Sequence, residues 1–146
     1  MAKVEANVII DRPVQDVWKF ITDLSTSNAV DPHILDAKQT SAGPFGVGTT
    51  VHLTRSNFPK NLDIRITEYE PNRKWSVVMT SGPVKGTTEQ QWLEMVEGKT
   101  KLTYSFDPKG SGLGRLLVPF MTGSVRRTVE SDLSNTKRIL ESEAKF

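Results

Sequence analysis

Residues 112–143, GLGRLLVPFMTGSVRRTVESDLSNTKRILESE, decide the fold. Apolar side chains recur there at Leu113, Leu117, Met121, Val125, Val129, Leu133 and Leu140, and Leu116, Phe120 and Ile139 widen the stripe. This periodicity predicts a single amphipathic helix from about residue 112 to 143. At ~1.5 Å per residue such a helix is on the order of 48 Å long. A helix of that length needs a large apolar partner surface, and the rest of the chain has to supply it.

Upstream, from about residue 35 to residue 107, the period is two. Leu35 to Thr40 is a predicted strand, and GPFGVG at 43–48 supplies a turn. Val47, Thr49, Val51 and Leu53 share one face, with Thr50, His52 and Thr54 on the other. Leu62, Ile64 and Ile66 alternate with Asp63, Arg65 and Thr67 before Glu70-Pro71-Asn72-Arg73 turns the chain. Trp75, Val77 and Met79 form the next inward set. Thr87 to Val96 has two possible phases, because Trp92 and Leu93 compete for the inside. After Gly98, the set Thr100, Leu102, Tyr104 and Phe106 completes the series. Short strands joined by turns, with no crossover helices between them, predict an antiparallel sheet.

The opening residues supply a further strand, in which Val4, Ala6, Val8 and Ile10 alternate with Glu5 and Asn7. Asp11 stands before Arg12-Pro13 as the expected N-cap of a short helix, with Pro13 in its first turn. Val14, Val17, Trp18, Ile21 and Leu24 then form one apolar stripe. Residues 25–33, STSNAVDPH, accommodate a second brief helix ending at Asp31-Pro32.

Composition bounds the class. A chain of 146 residues, 36% hydrophobic and 25% charged, is expected to form one domain over 1–146 around one core. No apolar run reaches the ~18 residues of a membrane span, and MAKVEANVIID lacks the apolar stretch of a secretory signal. The absence of cysteine excludes disulfides and thiolate chemistry and suits a cytoplasmic protein. The net charge of +2 arises entirely after residue 110, without a basic run longer than Arg126-Arg127, so nucleic acid is not an expected partner.

Chemical motifs are sparse. GSGLG at 110–114 lacks the spacing and the lysine of a phosphate loop and is read as a strand-to-helix junction. His33 and His52 are read as surface residues; they lack metal-ligand spacing. No G-x-S-x-G elbow is present. Trp75, Met79, Trp92, Tyr104, Phe106, Phe120 and Met121 are instead expected between sheet and helix, where a curved sheet gripping a long helix encloses an apolar cavity. Gly110, Gly112, Gly114 and Gly123 weaken the start of that helix and mark it as an expected ligand gate.

This order of elements also carries specific segments. IIDRPVQDVWKFITD at 9–23, ITEYEPNRKWSV at 66–77, EGKT at 97–100 and DLSNTKRILES at 132–142 resemble, in order and spacing, the START-like polyketide cyclase/dehydrase and lipid-transport (SRPBCC) superfamily. The resemblance implies an α+β helix-grip fold: a seven-stranded antiparallel curved sheet around a long C-terminal helix, with two short helices after strand 1. It implies a hydrophobic small-molecule ligand in an internal cavity, without a cofactor or metal, and no catalytic set carries over residue by residue. The expected ligand contacts are Thr49, Val51, Ile64, Trp75, Val77, Met79, Gln90, Trp92, Tyr104, Phe106, Leu117, Phe120 and Met121. Two alternatives stand beside carriage of a lipid, isoprenoid or polyketide-like molecule. One is a cyclase, aromatase or dehydratase using Tyr104 or His33 as acid or base; the other is a module that assists a partner protein.

Overall fold

A computed structural model describes residues 3–57, 59–82, 84–108 and 112–143, and, along the last helix, the side chains of 123–142. Strand β1 (Val4–Ile10) leads into helix α1 (Val14–Ile21), a 3₁₀ turn (Leu24–Thr26) and helix α2 (Ser27–Val30). Strands β2 (Ile34–Gln39), β3 (Thr50–Arg55), β4 (Asn61–Glu70), β5 (Lys74–Met79), β6 (Thr88–Val96) and β7 (Lys99–Asp107) follow, and then helix α3 (Gly112–Glu143). The seven strands form one sheet in the order β1-β7-β6-β5-β4-β3-β2, with every pairing antiparallel. This is the expected helix-grip architecture.

Local chemistry explains the turns. β6 and β7 are joined by Glu97 and Gly98, both at positive φ (53° and 79°), the twist that a two-residue hairpin requires. Asn72, also left-handed at φ 64°, turns β4 into β5, with Arg73 N–H donating to the Glu70 carbonyl at 3.0 Å. Register shifts between Ile66 and Glu68, and between Ile34 and Asp36, add the bulges through which a sheet bends.

Among the described residues, two apolar clusters make up the interior. Val4, Ile10, Val17, Trp18, Leu93 and Leu102 meet Val129, Leu133 and Leu140 of α3 in the first. Val51, Leu62, Ile64, Ile66, Val77 and Met79 form the second, and Tyr69, Trp75 and Phe106 pack against both. Polar contacts hold α3 in place: Asn135 Nδ2 donates to the Val30 carbonyl at 2.8 Å, and Lys137 Nζ to that of Ile9 at 2.6 Å. Arg12 Nη1 donates to the Leu140 carbonyl at 2.7 Å, satisfying one of the last-turn carbonyls that have no partner within the helix.

Several sequence expectations need correction. Asp11 is not the N-cap of α1: Pro13 holds that position without a side-chain cap, and the Asp11 N–H donates to Glu141 Oε2 at 2.9 Å. Val47 does not join the inward face of β3; it is 68% exposed in the loop before that strand. In β6 the inward phase belongs to Leu93, 6% exposed and in register with Leu102 of β7, so Trp92 faces the outer side of the sheet. The residues of the expected gate, apart from Gly123, lie outside the described side chains.

At Gly123, which is exposed, an added methyl meets nothing nearer than Arg127 Nη1 at 3.8 Å. Gly123→Ala therefore raises stability by about 0.5–1 kcal/mol, through helix propensity alone. A higher thermal midpoint by circular dichroism is the expected result. No helix among the described residues is long and apolar enough to cross a membrane.

Candidate ligand-binding cavity

A half-open cavity of about 160 Å³ lies between the 21–31 helical segment, the inward face of the sheet and α3. One wall is apolar: Ile21, Leu24, Val30 and Ile34 come from the helical segment and β2, and Leu53, Ile64 and Val77 from the sheet. Trp75 and Tyr104 add aromatic rings. An apolar cavity of comparable size, ~150 Å³, suffices to bind benzene.

The other wall is acidic. Period-two alternation turns Glu89 and Gln91 of β6 inward on either side of Gln90, and the register sets Glu89 against Phe106 and Gln91 against Tyr104. The Tyr104 hydroxyl donates to Glu89 Oε2, and Trp75 Nε1 donates to Gln91 Oε1 at 2.8 Å. From α3, Asp132 and Thr136 complete the lining, with Asp31 opposite at the end of α2. Asp31 is 7% exposed and its Oδ1 accepts from the His33 N–H at 3.0 Å.

Burial dominates the electrostatics. It pushes the Glu89 carboxyl up to about 7, opposed by Arg55 and reinforced by Asp31. It pushes Asp132 up to about 8, reinforced by Asp31 and Glu89 and opposed by Arg55. Acids shifted upward by burial and lining a cleft mark it as a candidate functional site.

The same shifts set a pH dependence. An acid that holds its proton more tightly when folded favours the folded state at low pH, and that advantage is lost as pH rises through the folded value. Between about pH 4 and 8 these two groups therefore make stability fall, with a contribution from Glu89 on the order of 3 kcal/mol. Glu89→Gln is expected to melt higher than the natural chain at pH 8.5 and to show a flatter profile from pH 5 upward. An unchanged slope would show that Glu89 ionises normally.

A family model described as "Polyketide cyclase / dehydrase and lipid transport" matches residues 1–141. The chain belongs to that family. No curated protein matches the sequence. Solved structures share the fold across nearly their whole lengths at low identity. A Nitrosospira multiformis protein has a TM-score of 0.74 at 19% identity, with 99% of this chain and 100% of that one covered. The Zhui aromatase/cyclase of a Streptomyces species gives 0.75 at 15%, covering 98% and 95%. The Aha1 dimer of Colwellia psychrerythraea gives 0.70 at 17%, covering 97% of each chain. These likenesses establish the helix-grip fold that the family shares.

Within this family member, Ile64, Trp75, Val77 and Tyr104 of the expected contacts line the cavity. Gln90 borders it, but its side chain is turned to the outer face, where Nε2 donates to Glu68 Oε1 and Ser76 Oγ at 3.0 Å each. Trp92 shares that outer phase. Thr49 lies outside the lining; its hydroxyl accepts from the Gly46 N–H at 2.9 Å and ties down the loop before β3. Val51 and Met79 are packed into the second core cluster, and Phe106 packs against both clusters without reaching the cavity. Leu117, Phe120 and Met121 lie outside the described side chains.

Sequence reasoning missed Glu89, Gln91, Asp132 and Asp31. The available signal was the β6 phase: choosing Leu93 as the inward residue brings Gln91 and Glu89 in with it. The histidines stand apart from the cavity lining. His33 Nδ1 lies 3.0 Å from Ser56 Oγ, and His52 pairs with Asp63 at 2.7 Å, which raises the imidazole's proton affinity.

Proposed function

We propose that this chain binds a small apolar or amphipathic molecule in the cavity between sheet and α3. The observation that carries this reading is the half-open 160 Å³ space itself, walled on one side by aliphatic and aromatic side chains. Natural cores leave few voids larger than a water molecule, so a space of this size is a feature in need of an occupant. Its volume matches a single ring or a short chain segment of a lipid, isoprenoid or polyketide-like compound.

Trp75 in the wall provides a direct readout through its fluorescence. Titration with single-ring apolar compounds is expected to change the emission and saturate. Val77→Phe places a ring in the same space, at a stability cost of about 1–3 kcal/mol, and is expected to weaken binding at least ~10-fold. Full affinity in this variant would count against the cavity as the binding place. Native mass spectrometry of gently purified protein, followed by organic extraction, identifies a retained compound.

The Tyr104–Glu89 hydrogen bond favours a second reading, acid–base catalysis on a polyketide-like substrate. A carboxyl that titrates near the working pH is suited to transferring protons in both directions. Conversion of a supplied β-keto thioester, abolished in Glu89→Gln, is the outcome that separates catalysis from carriage.

A further inference from the structure

The described lining of the cavity contains four carboxyl side chains, Asp23, Asp31, Glu89 and Asp132, and no lysine, arginine or histidine. The chain as a whole is at +2, so this concentration of acid is not a product of composition. Three of the four have partners within the protein. Asp23 Oδ1 accepts from the Ser25 N–H and hydroxyl, Asp31 from the His33 N–H, and Glu89 from the Tyr104 hydroxyl. Asp132, presented by α3, has no hydrogen-bond or ion-pair partner for its carboxyl among the described residues; only its backbone carbonyl is engaged, by Thr136.

A half-buried carboxyl without a partner is costly, and the cost is removed when a ligand supplies the missing donor. Arg55 acts on both Glu89 and Asp132 from a distance, but it stands outside the lining, and its Nη1 donates to the Pro59 carbonyl at 3.2 Å. Among the described residues no three acids converge closely enough to hold a metal ion, so a bare divalent cation does not match their spread. An alkylammonium needs no such convergence, because one charge-assisted hydrogen bond to the unpartnered Asp132 carboxyl holds it. Trp75 and Tyr104 add rings that attract a cation, and Ile64 and Val77 cover an apolar body.

We propose, on the footing that the cavity is a ligand site, that its ligand is an apolar amine bound as the ammonium ion, with its nitrogen at Asp132. A fatty acid, an acyl phosphate or any other anion meets four acidic side chains there and no basic one to supply a counter-charge. The ammonium takes the place of protons held by Asp132 and Glu89, so binding releases protons to the solvent.

Calorimetry at pH 7 with three matched probes tests this: 2-phenylethylamine, 2-phenylethanol and 3-phenylpropanoate. The amine is expected to bind about tenfold more tightly than the alcohol, because charge-assisted hydrogen bonds are roughly twice as strong as neutral ones. The carboxylate is expected to bind more weakly than the alcohol. In two buffers of different ionisation enthalpy, only the amine should show proton release. In Asp132→Asn the amine-to-alcohol ratio should fall to about threefold or less. Glu89→Gln, on a different element, supplies the same comparison if that variant does not fold. Equal or tighter binding of the alcohol, or tightest binding of the carboxylate, overturns the amine assignment and leaves the cavity as a ligand site. Failure of all three probes to bind a normally melting protein overturns the cavity reading, and the amine with it.

Discussion

Removal of everything after Gly110 leaves a chain without cooperative thermal unfolding. The loss takes away all of α3, whose Val129, Leu133 and Leu140 are 3%, 3% and 2% exposed within the first core cluster. Fully burying a Val or Leu side chain is worth ~1.5–3 kcal/mol, so these three alone contribute roughly 5–9 kcal/mol. That is comparable to the entire stability of an ordinary domain, about 5–15 kcal/mol. The truncation also strips the cover from Val4, Ile10 and Leu102 and breaks the anchors from Arg12, Asn135 and Lys137. Far-UV circular dichroism through a thermal ramp is the measurement. A sharp transition in the truncated chain would show that the sheet and α1 hold themselves together.

Trp18→Ala destabilises the protein by about 3–5 kcal/mol, the range for emptying a buried aromatic site. Trp18 is 7% exposed, with its ring centroid 5.3 Å from that of Tyr69 at a tilt of 58°. It packs in one cluster with Val17 and with Leu93 of β6, and it is outside the cavity lining. Its loss therefore loosens α1 from the sheet without removing a ligand contact. Chemical denaturation of the variant gives the size of the effect. An unchanged midpoint combined with altered ligand affinity would place Trp18 at the site instead of in the core.

Much of this architecture was legible in the residues. The stripe from Leu113 to Leu140 predicted a helix over 112–143, and the observed α3 runs Gly112–Glu143. Alternation located all seven strands to within a few residues, because one-faced burial imposes period two and is hard to mimic by chance. The family segments agreed with both. At the helix start, Arg12-Pro13 was read correctly as a boundary, but the cap was assigned to Asp11, which pairs instead with the far end of α3 through Glu141. A cap depends on local backbone geometry, and here α1 begins at Val14 with Pro13 in the capping position, two residues beyond Asp11.

The acidic half of the cavity was decided only by tertiary structure. In TEQQWLEMV the apolar pair Trp92-Leu93 occupies both phases of β6, so periodicity could not choose between them. The choice came from neighbours: Leu93 pairs with Leu102 across from β7 and packs beneath Trp18 and α3, and Glu89 and Gln91 followed it inward. Asp132 offered even less, since acidic residues on a helix ordinarily face water. Sequence alone determined a sheet and a long helix, and raised the expectation of an apolar space between them. The chemistry inside that space came from long-range pairing, because the face of a two-sided strand is set by the strand beside it.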